Sequence, residues 1–211
     1  MKNLPPKYFI GIDEVGRGPI AGPVAVGAFL VSAKNLRLAR ELFKGVKESK
    51  QLSEAKREEW FARILSARRS KTVNFFVTFQ SERIIDTKGL SFAIKNALAI
   101  SLKKLVKSNK IWAANTQARV LLDGGLKAPT EFTNQKTIIK GDEKEMVIAL
   151  ASICAKVLRD RKMNALAKKH SKYGFDQHKG YGTRAHYRAI SLHGLLSTHR
   201  RSFLTRLAVR V

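Results

Sequence analysis

Apolar positions fall in short unbroken runs near the N-terminus, then at helical spacing, then in short runs again. Tyr8 to Ile12 reads as a buried strand, running into Asp13-Glu14-Val15-Gly16-Arg17-Gly18-Pro19, whose glycines and proline mark a loop. Val24 to Ala33 is β-branched and aromatic without helical spacing, so it is expected to pair with the first strand around that connection. Trp60, Phe61, Ile64 and Leu65 form a helical stripe, with Ser53 as N-cap and Glu54 in the first turn. Thr72 to Phe79 reads as another strand, and Ile94, Leu98, Leu102 and Leu105 as a helix starting near Gly89.

Arg119 to Leu122 and Thr137 to Ile139 are short strands, each ending just before an acid, Asp123 and Asp142. Met146 to Leu158 is small or apolar except for Lys156, as suits a helix packed closely on a sheet. Strands first, then strand–helix alternation, predict an α/β domain with a central mixed β-sheet flanked by helices. Beyond about residue 160 the apolar density falls, and from Met146 onward 14 Lys or Arg stand against only Asp160 and Asp176. Residues 1–160 are therefore expected to form the core, and 161–211 a basic helical C-terminal appendage of the same structural domain.

Charge changes the picture from fold to partner. The 41 Lys plus Arg against 16 Asp plus Glu give a net charge of +25, a surface that seeks polyanions. On charge alone, a non-catalytic nucleic-acid binding protein fits as well as an enzyme. The single cysteine, Cys154, excludes an internal disulfide and leaves a Cys-based zinc site without ligands; it reads as a core filler. With no apolar stretch long enough to span a bilayer and no signal-peptide pattern, a cytoplasmic protein is expected.

In so basic a chain the acids at strand ends stand out. Asp13-Glu14, Asp123 and Asp142 each sit where an apolar run stops and a turn begins, and the ends of neighbouring strands converge in a sheet. Because side chains alternate along a strand, Asp13 and Glu14 can serve one site only if Glu14 already lies in the turn. Carboxylates gathered together repel unless cations neutralise them, and all-oxygen ligands select Mg²⁺ or Mn²⁺. Taken singly, each has a plainer reading: Asp123-Gly124-Gly125 as an ordinary turn, Asp142 as a helix N-cap, Asp13-Glu14 as a loop pair.

The run Gly11-Ile12-Asp13-Glu14-Val15-Gly16-Arg17-Gly18-Pro19 closely resembles the N-terminal signature of bacterial ribonuclease HII, the type 2 ribonuclease H family. Further blocks follow in that family's order: Ser49-Lys50-Gln51-Leu52-Ser53, Leu121-Leu122-Asp123-Gly124, Lys140-Gly141-Asp142, and Ala151 through Asp160. Near the C-terminus come Tyr173-Gly174-Phe175, His178-Lys179-Gly180-Tyr181 and His199 through Phe203. The resemblance implies a ribonuclease H-like fold with a C-terminal helical part. It implies an endonuclease cutting the RNA strand of RNA–DNA hybrids and incising 5′ to ribonucleotides embedded in duplex DNA, through two divalent cations, leaving 5′-phosphate and 3′-hydroxyl ends.

The resemblance places the metal-binding carboxylates on Asp13, Glu14, Asp123 and Asp142. It implies that Gly16, Arg17 and Gly18 sense the ribose 2′-hydroxyl through their backbone, and that Tyr181 stacks on the sugar of the following deoxynucleotide. Lys50, Ser152 and Lys156 are further candidate substrate residues, with Lys179 and Arg200 candidate phosphate contacts. His170, His178, His186, His193 and His199 are expected at phosphates or on the surface. A monomer is expected; a clamp-type partner cannot be derived, since Leu204 to Val211 holds no motif. The sister family, ribonuclease HIII, is disfavoured by the Gly-Arg-Gly run and the short N-terminus. Glu48, Gln51, Gly125, Glu143 and Gly182 depart from the family pattern: Gln51 is expected to weaken a phosphate contact, Glu143 to add charge beside the metal site, and Gly182 to loosen its loop.

Overall fold

The computed structural model describes residues 5–46, 49–111 and 117–204. Its centre is a five-stranded mixed sheet of β1 (Tyr8–Val15), β2 (Val24–Ser32), β3 (Val73–Gln80), β4 (Ala118–Asp123) and β5 (Gln135–Ile138), in the order β3-β2-β1-β4-β5. β1 to β3 form an antiparallel meander, while β1, β4 and β5 run parallel. The first two strands pair from Tyr8 opposite Ser32 to Val15 opposite Ala25, as their composition predicts.

Helices cover both faces. On one, α3 (Glu82–Lys88) and α4 (Leu90–Ser108) bury Ile85, Ile94, Leu98, Leu102 and Leu105 against Ile10, Ile12, Val26, Val120 and Leu122. On the other, α2 (Glu54–Arg69) and α6 (Met146–Lys169) bury Trp60, Phe61, Ile64, Ile148 and Leu150 against Phe29, Val31 and Phe75. Ser53 caps α2 by accepting a bond from the Lys56 amide, as its position in the sequence implies.

The N-terminal half of α6 is buried at almost every position, which explains why its residues other than Lys156 are small or apolar. It lies almost on the backbone of the sheet. A Cβ on Gly11 would meet the Val147 carbonyl at 2.1 Å, and one on Gly27 the Ala151 carbonyl at 2.4 Å. Those two glycines set the helix height above the sheet, and so set where Ser152 meets β1.

The drop in apolar density near residue 160 does not break the chain. α6 continues through it to Lys169 and enters a third cluster of Ala21, Met163, Tyr173, Phe175 and Ala189, completed by α7 (Phe175–His178) and α8 (Arg184–His193). The short α1 (Leu36–Leu42) and α5 (Gly141–Lys144) complete the helices.

Two local expectations change. β1 runs on to Val15, so Glu14 lies in the strand and not in a turn. Asp142 is neither a strand end nor an N-cap: it sits in the first turn of α5, and β5 ends earlier, at Ile138.

Candidate active site

The pairing of β1 with β4 ends at Ile12 opposite Leu122, although β1 continues for three residues. One edge of Asp13-Glu14-Val15 is thereby left open beside Asp123, the last residue of β4. This opening lets two adjacent acids line one cleft of about 430 Å³ despite strand alternation, without the turn expected from the sequence. Asp13, Glu14 and Asp123 all line it, with Gly16, Arg17, Gly18, Lys50, Ser152, Lys156 and Tyr181.

Asp142 is also buried, but it faces a neighbouring depression with Arg40 and Glu143, near enough for its charge to act on Asp13. The Gly141 amide donates to Asp123 Oδ1 at 2.6 Å, tying the start of α5 to the end of β4. Glu143 forms an ion pair with Lys140 at 3.3 Å.

Burial is the main force on Asp13. It pushes the carboxyl up to about 8, with the charges of Glu14, Asp123 and Asp142 adding to it and a Ser152 hydrogen bond opposing it. Ser152 donates to Asp13, which leaves Ser49 as donor of the 2.7 Å bond between the two serine hydroxyls. The Ser152 hydroxyl thus supports the Asp13 carboxyl, and the residue, only 1% exposed, lines the cleft beside it. Glu14 is likewise raised by burial, opposed by Arg17, whose guanidinium meets Oε1 at 2.8 Å; its Oε2 is buried without a hydrogen-bond partner.

Facing the acids are the Gly16–Gly18 loop and the Tyr181 ring, which is 47% exposed and not a core ring. A Cβ on Gly18 would touch Tyr181 Cε1 at 3.6 Å, so loop and ring stand side by side. A Cβ on Gly182 would lie 2.8 Å from the Tyr187 hydroxyl, so the segment packs closely against that ring.

Several basic residues differ from expectation. Lys156 donates to Asp160 Oδ1 at 2.8 Å, and burial lowers its pKa. Lys179 is held by Asn164, the Asp176 carbonyl and Glu54. Arg200 is fully buried, so neither Lys179 nor Arg200 is an open phosphate contact. His186 and His199 are buried in the third cluster, away from the surface expected of them. Cys154 is also fully buried, as a core filler should be.

Arg57, unremarked in the sequence, lines the cleft; it donates to the carbonyls of Ser49 and Leu52 and pairs with Asp160 at 3.6 Å. Its spacing from Ser49 offers no local signal, because the contact is made by the fold of the 49–52 segment. Glu48 lies outside the described residues.

The donors in this cleft are carboxylate oxygens, one buried with no partner and one whose proton is retained to about pH 8. That chemistry fits a hard divalent cation. Among the described residues, no three Asp, Glu, His or Cys side chains already form a closed ligand group.

The same sheet and helices occur in solved structures. Ribonuclease H2 from Pyrococcus horikoshii OT3 superposes with a TM-score of 0.69 at 23% identity, covering 96% of this chain and 98% of that one. Ribonuclease HII from Archaeoglobus fulgidus, solved in a complex with PCNA, gives 0.66 at 26% identity, covering 91% of this chain and 93% of that one. Bst-RNase HIII in complex with Mn²⁺ gives 0.67 at 22% identity, covering 99% and 72%. The fold is that of the ribonucleases H.

Sequence similarity narrows the class. The family described as Ribonuclease HII matches residues 10–206, and the Ribonuclease HII of Bacillus cereus (strain AH820) is 41% identical over 197 residues, 93% of this chain and 68% of that protein. The chain belongs to the ribonuclease HII family.

Proposed function

We propose that this chain is an endonuclease that hydrolyses the RNA strand of RNA–DNA hybrids and incises duplex DNA on the 5′ side of single embedded ribonucleotides, in the service of ribonucleotide removal from DNA. The observation that carries the proposal is the meeting, in one cleft, of three strand-end carboxylates with the Gly16–Gly18 backbone and the exposed Tyr181 ring. The first group suits phosphodiester hydrolysis, and the second suits a ribose followed by a deoxyribose.

Asp13, Glu14 and Asp123, with Asp142 behind Asp13, would hold Mg²⁺ or Mn²⁺. Two such ions supply activation of a water and stabilisation of the leaving oxygen. This chain's own residues do the rest. Ser152 and Ser49 orient the Asp13 carboxyl, the Gly141 amide orients Asp123, and Arg17 fixes one oxygen of Glu14. Tyr181 and the glycine loop seat the sugar, and Lys50 and Lys156 line the path of the backbone.

Members of the same fold class have been solved with Mn²⁺ and with PCNA. Both are candidates here: the ion in the cleft, and a clamp protein as a partner to be sought by co-elution with the full chain. Among the described residues no helix is long and apolar enough to cross a membrane.

The test uses two end-labelled duplexes of one sequence, one with a single ribonucleotide and one a continuous hybrid. Incubation with Mg²⁺, Mn²⁺ or EDTA should give incision only with a cation, with 5′-phosphate and 3′-hydroxyl ends. Uncut substrate under both cations would refute the proposal.

A further inference from the structure

Arg159 and Arg200 have the largest side chains buried to less than 2% exposure, and both are completely buried. Burying a guanidinium is costly unless its donors are satisfied. Here every guanidinium nitrogen donates to a main-chain carbonyl. Arg200 donates from Nη2 to Gly16 at 2.7 Å, from Nη1 to Arg17 at 3.0 Å and from Nε to Gly22 at 2.9 Å. Arg159 donates from Nε to Pro23 at 2.9 Å, from Nη1 to Lys179 at 3.1 Å and from Nη2 to Ala21 at 3.4 Å. Among the described residues neither forms an ion pair with a carboxylate.

Those carbonyls are not scattered. Two lie within the Gly16–Gly18 loop, three follow it at Ala21, Gly22 and Pro23, and the sixth is Lys179, two residues before Tyr181. The segments are further joined by the amides of Ile20 and Ala21, which donate to the Gly180 carbonyl, and by the Arg200 amide, which donates to Ile20. Gly16 has a φ of +91°, and a Cβ there would lie 2.2 Å from Arg159 Nε. The first glycine of the loop is therefore fitted against the guanidinium as well as turned by its own backbone. A packing role alone would be filled more cheaply by an apolar side chain; six aimed donors specify where backbone goes.

We infer that Arg159 and Arg200 are positioning residues that lock the Gly16–Gly18 loop and the Tyr181 segment into one rigid sugar-reading unit, and so set the preference for a ribonucleotide followed by DNA. The inference rests on the reading of loop and ring given under the proposed function. Neither arginine reaches the cleft. Each acts by fixing the register between a backbone that senses one sugar and a ring that packs on the next. A fork of fixed geometry is required for this, and a lysine, with one ammonium, can satisfy only part of it.

The test compares Arg200→Gln, Arg200→Lys and Gly18→Ala in the full chain, well below each variant's melting temperature. KM and kcat are measured on the single-ribonucleotide duplex and the continuous hybrid. Misplacements of about 1 Å can cost about a hundredfold in rate. Arg200→Gln should raise KM about tenfold or more on the single-ribonucleotide duplex and much less on the hybrid, with Arg200→Lys in between.

Gly18→Ala adds a methyl beside Tyr181 without disturbing the clamp, and should shift the same ratio of KM values. Arg200 variants that melt earlier yet keep the wild-type ratio, while Gly18→Ala changes it, overturn the clamp and leave the reading of the loop intact. An unchanged ratio in Gly18→Ala overturns that reading and the clamp with it. Should Arg200→Gln fail to fold, Arg200→Lys and Arg159→Lys decide the matter by the same ratio.

Discussion

At the scale of single residues, a carboxyl as buried as that of Asp13 ties stability to pH. Unfolded, it ionises near 3.8; folded without cations, it keeps its proton to about 8. Between those values the folded state binds the extra proton, so its stability is greatest at low pH and is lost as pH rises through the folded value. Asp13→Asn should therefore melt higher than the wild type in EDTA at pH 8, with the gap narrowing toward pH 4; an equal melting temperature at both would contradict the assigned burial. Adding Mg²⁺ or Mn²⁺ should raise the wild-type melting temperature and leave that of Asp13→Asn nearly unchanged.

Much of this residue-level detail was legible in the sequence. Asp13, Glu14 and Asp123 end apolar runs and do meet in one cleft, whereas Asp142 lines the neighbouring depression. Less legible was how Asp13 and Glu14 share a cleft. Strand alternation predicts a turn for the adjacent pair, and the solution lies in β4, which stops pairing at Ile12 and opens the edge of β1. Arg57, Arg159 and Arg200 were equally hidden, because a basic residue in a chain of net charge +25 gives no sign that it is buried.

At the scale of elements, α6 is held at the height of two missing side chains. Gly11→Ala places a methyl against the Val147 carbonyl, so α6 must lift or the sheet bend, at about 1–3 kcal/mol or more. Denaturant titration should show that loss, and cleavage should fall in the folded fraction as well, because Ser152 rides on α6. A variant of wild-type stability would show that the contact relaxes freely.

α8 is attached differently, through neutral histidines. The Leu196 amide donates to His199 Nδ1, which leaves His199 Nε2 to donate to His186 Nε2 at 3.1 Å, and His186 Nδ1 to donate to the Tyr181 carbonyl at 2.8 Å. Burial pushes His186 down to about 4, from an ordinary value of 6.5, against the raising effect of the Tyr181 carbonyl. In that interval the unfolded chain binds more protons, so stability falls as pH drops from 6.5 toward 4. Thermal melts of His186→Gln should be flatter across that window than those of the wild type; equal slopes would place the titration elsewhere. Hydrophobic periodicity found the strands and the long helices but not this attachment, since the spacing of the histidines follows no helical or strand period.

At the scale of the whole molecule, the fold puts acids at the open ends of the central strands of a protein with 41 Lys plus Arg. If, as proposed, charge gathers the duplex and the cleft selects the sugar, the two properties should separate. With about five phosphates contacted, raising salt from about 50 to about 200 mM should weaken duplex binding on the order of 10²–10³-fold. The preference for the ribonucleotide-containing strand over all-DNA should stay constant, as gel-shift titrations at each salt can show. Loss of preference with salt would mean that charge, and not the glycine loop, does the selecting.

The sequence carried the mixed sheet, the polyanion partner and the acids, because each depends on local pattern or total composition. It did not carry the continuity of α6 past residue 160, because the change there is one of neighbours and not of helix. What remains decisive is whether these acids act on a bound substrate. Asp13→Asn and wild type should be compared on one single-ribonucleotide duplex, reading binding and incision side by side with Mg²⁺ and with Mn²⁺. Equal binding, with incision reduced at least about a hundredfold in the variant, is the expected result. Incision by Asp13→Asn at the wild-type rate would contradict the assignment of the cleft.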